Sequence, residues 1–313
     1  MRAVYFNEYG PPEVLQLREM EIPSPKADEM LVRIAAAAVN PKDCMVRKGK
    51  FRFITGNHFP QLLGYDLAGE VVKVPDGAHG FNEGDAVYAM INDWKAGAYA
   101  EYAVVKLNEA ARQPANLNST EAAAIPLAAQ TALQALRDHG RVAPGMRVCI
   151  NGATGGVGTF AVQIAKILGT EVTAVCSHRV LELPTALGAA EVIDYTRDNI
   201  LELGKRFNVF FDVFGNRSFA EAAPCLHEHG VYITTVPNQE NLRLHGTVDP
   251  ATGKQARLVA VYSRTQDLQQ LAQWCEAGQL RAVIDRTYPL TQAPEAHTYI
   301  ETKRAKGKVV LIP

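Results

Sequence analysis

Cysteine is sparse in this chain and scattered where it occurs. The five cysteines, at 44, 149, 176, 225 and 275, form no Cys-x-x-Cys pair and no Cys/His cluster. That pattern speaks against a disulfide framework and a structural metal site, and it points to a reducing, cytoplasmic compartment. An excess of charge is also missing: 32 Lys+Arg face 33 Asp+Glu, for a formal net charge of -1. With no long-range field of one sign, neither nucleic acid nor an anionic membrane is an expected partner. No apolar run approaches the ~20 residues of a spanning helix. The best, AAAIPLAA at 122–129, is short and contains Pro126. The opening MRAVYFNEYG lacks the apolar stretch of a secretory signal.

What is present is the composition of a folded protein. Hydrophobic residues make up 47% and charged residues 21%, which excludes disorder as a description of the whole, and 313 residues suffice for two domains. Up to about residue 120 the pattern is β-rich. LVRIAAAAV (31–39), DLAGEVVKV (66–74), GDAVYAM (84–90) and YAEYAVV (99–105) are short strand-like runs bounded by Gly, Pro, Asn and Asp. Ser119 or Thr120 is placed to cap a helix, and AAQTALQAL (128–136) has helical spacing. From 147 the texture alternates. RVCIN (147–151), EVTAVCS (171–177), EVID (191–194), NVFFDVFG (208–215), GVYITTV (230–236) and RLVAVYS (257–263) read as strands. Helices VGTFAVQIAKILG (157–169) and LELPTALG (181–188) lie between them. Apolar strands alternating with helices indicate a doubly wound parallel sheet covered on both faces. A helix at 267–280 and a strand at 308–313 remain, enough chain to return to the first module.

The most informative segment is RVCINGATGGVGTFAVQIAKILG. A strand runs into Gly152-Ala153-Thr154-Gly155-Gly156-Val157-Gly158, and a helix follows. Glycines permit the sharp turn and close approach that a pyrophosphate requires, and the helix start offers free N–H groups and a positive dipole end. Strand, glycines, helix and second strand in order within about 30 residues predict a dinucleotide site. No Gly-Lys-Ser/Thr follows, so a P-loop is not indicated. The second strand ends Cys176-Ser177-His178-Arg179 with no acid to hold ribose hydroxyls. Ser177 can instead hydrogen-bond a 2′-phosphate and Arg179 can pair with it, which favours NADPH. Zinc-ligand patterns are absent from the first module, and Tyr102/Lys106 and Tyr299/Lys303 stand in the wrong places for a short-chain-dehydrogenase arrangement.

A resemblance then covers almost the whole chain. AAVNPKDCMVRKGKF (37–51), FPQLLGYDLAGEVVKV (59–74), FNEGDAVYAM (81–90), GAYAEYAVV (97–105), AAAIPLAAQTALQAL (122–136), the glycine loop, LGAAEVIDYT (187–196) and GKVVLIP (307–313) carry it. The chain resembles the zinc-free branch of the medium-chain dehydrogenase/reductases, especially quinone oxidoreductases and alkenal/enone reductases. The resemblance implies an α/β fold: a GroES-like catalytic domain from residues 1–121, an inserted Rossmann domain at 122–257, and a C-terminal return at 258–313. It implies NADPH as cofactor, a quinone or α,β-unsaturated carbonyl as substrate, and a homodimer joined near RLVAVYS. Asn40 stands where zinc members carry a Cys ligand, and Gly64-Tyr65-Asp66 replaces their Gly-His-Glu. By the same resemblance Gly155, Gly156 and Val157 hold the pyrophosphate. Ser177, His178, Arg179 and Tyr195 surround the 2′-phosphate. Asn40 and Thr131 lie near the nicotinamide ribose and carboxamide, Val236 and Tyr262 end strands bordering the nicotinamide, and Lys308 closes the cofactor cleft. Met45 stands where many relatives place a Lys or Tyr able to donate a hydrogen bond.

The expected activity is transfer of hydride from NADPH to a quinone or to the activated C=C bond of an enone or enal, without metal. Charge developing on the acceptor oxygen needs a donor. Tyr65 is the first candidate, Asn40 a second catalytic-site residue, and solvent or the nicotinamide ribose hydroxyl the reserve. Asp43 and Asp66 read as structural acceptors, Cys44 as packing, and His58, His227, His229, His245 and His297 as surface or capping residues. Lys48–Phe53 is either a rim over the substrate or a solvated loop. An enoyl-thioester reductase and a low-turnover NADPH-binding sensor are the alternatives.

Overall fold

A computed structural model describes residues 1–75 and 80–313. The chain forms two compact units, residues 1–130 together with 262–313, and residues 131–261.

The first unit is built on a seven-stranded sheet in the order Ile284–Pro289, Lys308–Ile312, Glu29–Val39, Asp66–Lys73, Ala86–Met90, Ala110–Arg112, with Tyr102–Lys106 also paired to Glu29–Val39. All its pairings are antiparallel except that of Ile284–Pro289 with Lys308–Ile312. A smaller antiparallel sheet joins Gln16–Glu19, Arg2–Phe6 and Gln61–Leu62. The register sets Val39 opposite Val309 and Ala38 opposite Asp66, so the ends of three strands distant in sequence meet at one place. There the helix Pro41–Arg47 begins. Asn40 is its N-cap, Pro41 supplies a pre-set φ at the first helical position, and Asp43 reaches back to the Asn40 N–H at 2.6 Å.

The second unit is a six-stranded sheet, entirely parallel, in the order Glu191–Asp194, Glu171–Cys176, Arg147–Asn151, Phe207–Asp212, Leu226–Thr234, Gln255–Leu258. Numbered within the unit this is 3-2-1-4-5-6, the doubly wound order, whose switch point falls between Arg147–Asn151 and Phe207–Asp212. Cys149, Val175, Phe207, Phe210 and Tyr232 belong to a buried cluster on this sheet, which explains why its strands read as nearly continuous apolar runs.

Several local expectations are corrected. The helix Ser119–Ala123 is capped by Asn118, not by Ser119 or Thr120; its side chain accepts from Glu121 N at 3.0 Å and Glu121 returns the bond. The expected strand 257–263 ends at Leu258, so Tyr262 lies four residues beyond it, and Val236 lies two residues beyond Thr234. The helix at 128–136 starts at Pro126 and widens into a π turn over Gln134–His139. Tyr299 is on the helix Ala293–Glu301, but Lys303 lies past its end at φ +57. His297 is fully buried rather than a surface residue.

Candidate functional site

In the second unit the glycine loop connects Arg147–Asn151 to the helix Gly156–Ile167, at the carboxyl edge of the sheet beside the switch point. Gly152 adopts φ +87, a conformation that side-chain-bearing residues avoid. Gly155 is the helix N-cap, and a Cβ there would meet nothing closer than Gly152 O at 3.7 Å. The loop is therefore open where a pyrophosphate would sit, and the helix's first N–H groups lack intrahelical partners by construction. Gly158 serves a different purpose: a Cβ there would lie 2.1 Å from Gly152 O and 2.8 Å from Ala153 Cα, so only glycine lets helix and turn approach this closely.

Ser177 caps the short turn His178–Val180 and accepts from Arg179 N. The side chains of His178 and Arg179 are exposed, and Tyr195 is 58% exposed. His178 Nδ1 lies 3.3 Å from Thr196 Oγ1, and both His178 N and Thr196 Oγ1 donate to Asp194. The carboxylate missing from the end of the second strand thus comes from the third, already engaged by protein donors. These residues fit NADPH: an open glycine cradle, first-turn helix N–H groups without intrahelical partners, and an exposed His-Arg pair after Ser177 at the end of the second strand.

Two residues at this edge escaped sequence reasoning. Asn151 and Asp212 end the strands on either side of the switch point, and Asn151 Nδ2 donates to Asp212 Oδ1 at 2.7 Å and to Asn216 Oδ1 at 2.8 Å. Asp212 also accepts from Gly215 N and Arg217 N, which shapes the loop containing Phe214, whose backbone N a Cβ on Gly152 would meet at 3.1 Å. The only available signal was the polar residue closing each apolar strand. Val236 packs over Gly215, and Thr131 is buried.

The first unit holds a buried polar cluster. Lys308 Nζ donates to Asn40 Oδ1 at 2.5 Å and lies 3.5 Å from Asp66 Oδ2. Asn40 Nδ2 donates to Asp66 Oδ2 at 2.9 Å, and Leu127 N donates to Asp66 Oδ1 at 2.8 Å. Burial pushes the Asp66 carboxyl up and the Lys308 amine down, while each opposes the other's shift by attraction. Lys308 is buried, and its ammonium fixes the Asn40 amide. Asp43 accepts from Asn40 N and from Tyr99 OH at 2.9 Å, yet its Oδ1 is buried with no partner among the described residues. Burial raises it to about 7.

Behind Asp43 runs a line of donors. Arg47 Nε donates to His297 Nδ1 at 3.2 Å, and His297 Nε2 lies 3.3 Å from Tyr99 OH. Burial, reinforced by Arg47 and Lys48, holds His297 down to about 3, so its imidazole is neutral. With Nδ1 accepting, Nε2 carries the hydrogen, and each group passes a donor toward Asp43. Glu301 pairs with Arg47 and, at 2.9 Å, with Lys48. Cys44 Sγ sits 3.5 Å from His297 Nδ1, and burial pushes the thiol up to about 12, which suits packing rather than nucleophilic attack.

Tyr65 is fully buried, its hydroxyl donates to Trp94 O at 3.3 Å, and burial raises it further above the phenol range. The Lys42 ammonium lies 3.5 Å from the centre of its ring and 4.5 Å from that of Trp94. Phe51 stacks obliquely on Trp94 at 5.0 Å, and the following turn Arg52–Thr55 leaves Phe53 79% exposed. No group of three or more His, Cys, Asp or Glu able to hold a metal ion occurs among the described residues.

Residues 26–115 match the family described as alcohol dehydrogenase GroES-like domain, and residues 187–311 match that described as zinc-binding dehydrogenase. The 2-methylene-furan-3-one reductase of Solanum lycopersicum is 37% identical over 100% of this chain and 79% of its own length. The NADPH-dependent alkenal/one oxidoreductase, chloroplastic, of Arabidopsis thaliana is 35% identical over 100% of this chain and 80% of its own. The solved structure of the quinone oxidoreductase from Coxiella burnetii superposes with a TM-score of 0.93 at 30% identity, covering 100% of this chain and 99% of that one. The chain belongs to the quinone oxidoreductase and alkenal/enone reductase branch of the medium-chain dehydrogenase/reductases.

Proposed function

We propose that this protein is an NADPH-dependent oxidoreductase that reduces a quinone or the activated C=C bond of an enone or enal, with no metal in the reaction. The observation that carries the reading is a glycine turn, open at Gly155, at the switch point of a 3-2-1-4-5-6 parallel sheet, with Ser177 and the exposed His178 and Arg179 at the end of its second strand. Bound there, NADPH supplies the hydride. Gly155, Gly156 and Val157 present backbone to the pyrophosphate, and Ser177, His178, Arg179 and Tyr195 receive the 2′-phosphate. Thr131, Val236 and Tyr262 are assigned to the nicotinamide end. Asn40, with its amide oriented by Lys308 and Asp66, offers a fixed polar group for the carboxamide or ribose. Tyr65 lines the acceptor side.

Steady-state NADPH oxidation against a panel of 2-alkenals, cyclic enones and benzoquinones tests the reading. Acceptor-dependent oxidation, faster with NADPH than with NADH, is expected. Tight NADPH binding with no acceptor-dependent turnover would overturn it in favour of a sensor. Arg179→Ala gives the cofactor test. The guanidinium makes no ion pair among the described residues, so its loss disturbs no internal contact. A charge-assisted hydrogen bond is worth about 1.5–3 kcal/mol, so NADPH affinity should fall about 10- to 100-fold while NADH affinity is unchanged. Equal losses in the two titrations would remove Arg179 from the phosphate site.

The five cysteines are free thiols, in keeping with a cytoplasmic protein. The strand Gln255–Leu258 is last in its sheet's order, with its outer edge bonded to residues 245–248 of the same chain, and we assign the two-fold contact of a homodimer to the segment that follows it. Among the described residues no helix is long and apolar enough to cross a membrane.

A further inference from the structure

We propose that Lys42 is the proton donor to the oxygen of the acceptor, with its ammonium held on the rings of Tyr65 and Trp94. The inference rests on the reductase reading above and adds to it the residue that completes the reaction. Hydride addition forms a C–H bond at the acceptor carbon, or reduces a quinone, and leaves an electron pair on the acceptor oxygen. An N–H bond of Lys42 then breaks as the O–H bond forms, and the neutral amine regains its proton from water.

The Tyr65 hydroxyl is spent on Trp94 O and the Tyr99 hydroxyl on Asp43. Lys308 is spent on Asn40 and Asp66, and His297 is fully buried between Arg47 and Tyr99. Met45 has no proton to give. Lys42 is different. It is only half-buried, its ammonium is held by two aromatic faces, and none of its N–H groups has an oxygen partner among the described residues. Ring faces attract a cation without consuming its hydrogen-bond donors, so the N–H groups stay available to an incoming oxygen. Tyr65 directly precedes Asp66, and Lys42 is two residues past Asn40, which places the donor beside the Asn40–Asp66–Lys308 cluster. The surrounding charges are Asp43 on its own helix, Asp66 beside Tyr65, Glu109, and Asp93 beside Trp94 in sequence. Burial lowers the amine to about 8 against the pull of Asp43, Asp66 and Glu109, so it is protonated at neutral pH and is a stronger acid than a solvated lysine.

Lys42→Met and Lys42→Arg separate the possibilities. With a cyclic enone or benzoquinone as acceptor, kcat of K42M should fall about a hundredfold, a loss typical of a missing general acid, with the Kd for NADPH unchanged. Wild-type kcat should decline above about pH 8 as the ammonium is lost, and neither variant should show that limb. K42R keeps a cation that does not release its proton, so it should lose kcat about as K42M does. A readout independent of cofactor is binding of 4-nitrophenol, whose ionised form is coloured. The cofactor-free wild type should favour the phenolate, K42R should retain that preference, and K42M should lose it. Retention of kcat and of the alkaline limb by K42R or K42M would overturn the proposal, as would equal phenolate binding by wild type and K42M. Absence of turnover by the wild type with every acceptor would overturn the reductase reading itself, a distinct result.

Discussion

Gly158→Ala is expected to destabilise the nucleotide-binding unit by a few kcal/mol and to abolish measurable NADPH binding. Overpacking alone costs about 1–3 kcal/mol, and here the obstruction is backbone. The new Cβ would sit 2.1 Å from Gly152 O and 2.8 Å from Ala153 C. Neither atom can rotate away, so the helix Gly156–Ile167 must shift, and its N–H groups shift with it. Gly155→Ala is the informative companion. Gly155 has φ -79, which alanine accepts, and the nearest protein atom to its Cβ is 3.7 Å away. It should therefore unfold at the wild-type temperature yet bind NADPH weakly, because the methyl occupies the space meant for the pyrophosphate. Thermal unfolding and fluorescence titration of the same three proteins separate the two effects. Wild-type affinity in G158A would mean that the loop is not the cofactor's seat.

The contrast between these two glycines shows what a sequence displays and what it conceals. The parallel sheet was legible because strands covered on both faces must be apolar along their length, as in NVFFDVFG and GVYITTV. The glycine loop was legible because strand, turn and helix adjoin in the chain. Boundaries set by side-chain capping were less so. Asn118, Ser119 and Thr120 all qualify as caps on residue type, and only the reciprocal bond with Glu121 selects Asn118. RLVAVYS reads as one strand, but the strand is Gln255–Leu258, with one further bond from Val259 N to Thr234 O. Contacts between distant segments left no trace at all. His297 meets Arg47 across 250 residues of chain, and Lys308 meets Asn40 across 268. Lys42 gave no signal because an aromatic box is made by Tyr65 and Trp94 arriving from elsewhere.

Lys308→Met is expected to destabilise the protein by about 3–5 kcal/mol at pH 8, the usual cost of leaving a buried charge without its partner. Methionine keeps the volume of the stem, so the loss is electrostatic rather than a cavity. Asp66 would retain Asn40 Nδ2 and Leu127 N as donors but, among the described residues, no cation in direct contact. Its carboxyl is already raised by burial, with Lys308 as the largest opposing influence, so removing Lys308 raises it further. In that state the folded protein binds a proton that the unfolded chain has released. Stability of the variant should therefore fall as pH rises from the unfolded carboxyl value near ~3.9 toward the raised folded value. Urea unfolding at pH 5.5 and pH 8 should thus show a smaller loss at the lower pH. Asp66→Asn in the Lys308→Met background removes the stranded charge while keeping an acceptor for Leu127 N, and it should restore most of the stability. A loss that is independent of pH and unrelieved by Asp66→Asn would mean that packing, not the ion pair, holds this cluster. The same substitution frees Asn40 Oδ1 from its only side-chain donor among the described residues. An Asn40 amide that no longer has a fixed orientation should raise the KM for NADPH even in the rescued double variant, because restoring charge neutrality at Asp66 does not restore the bond that aimed the amide.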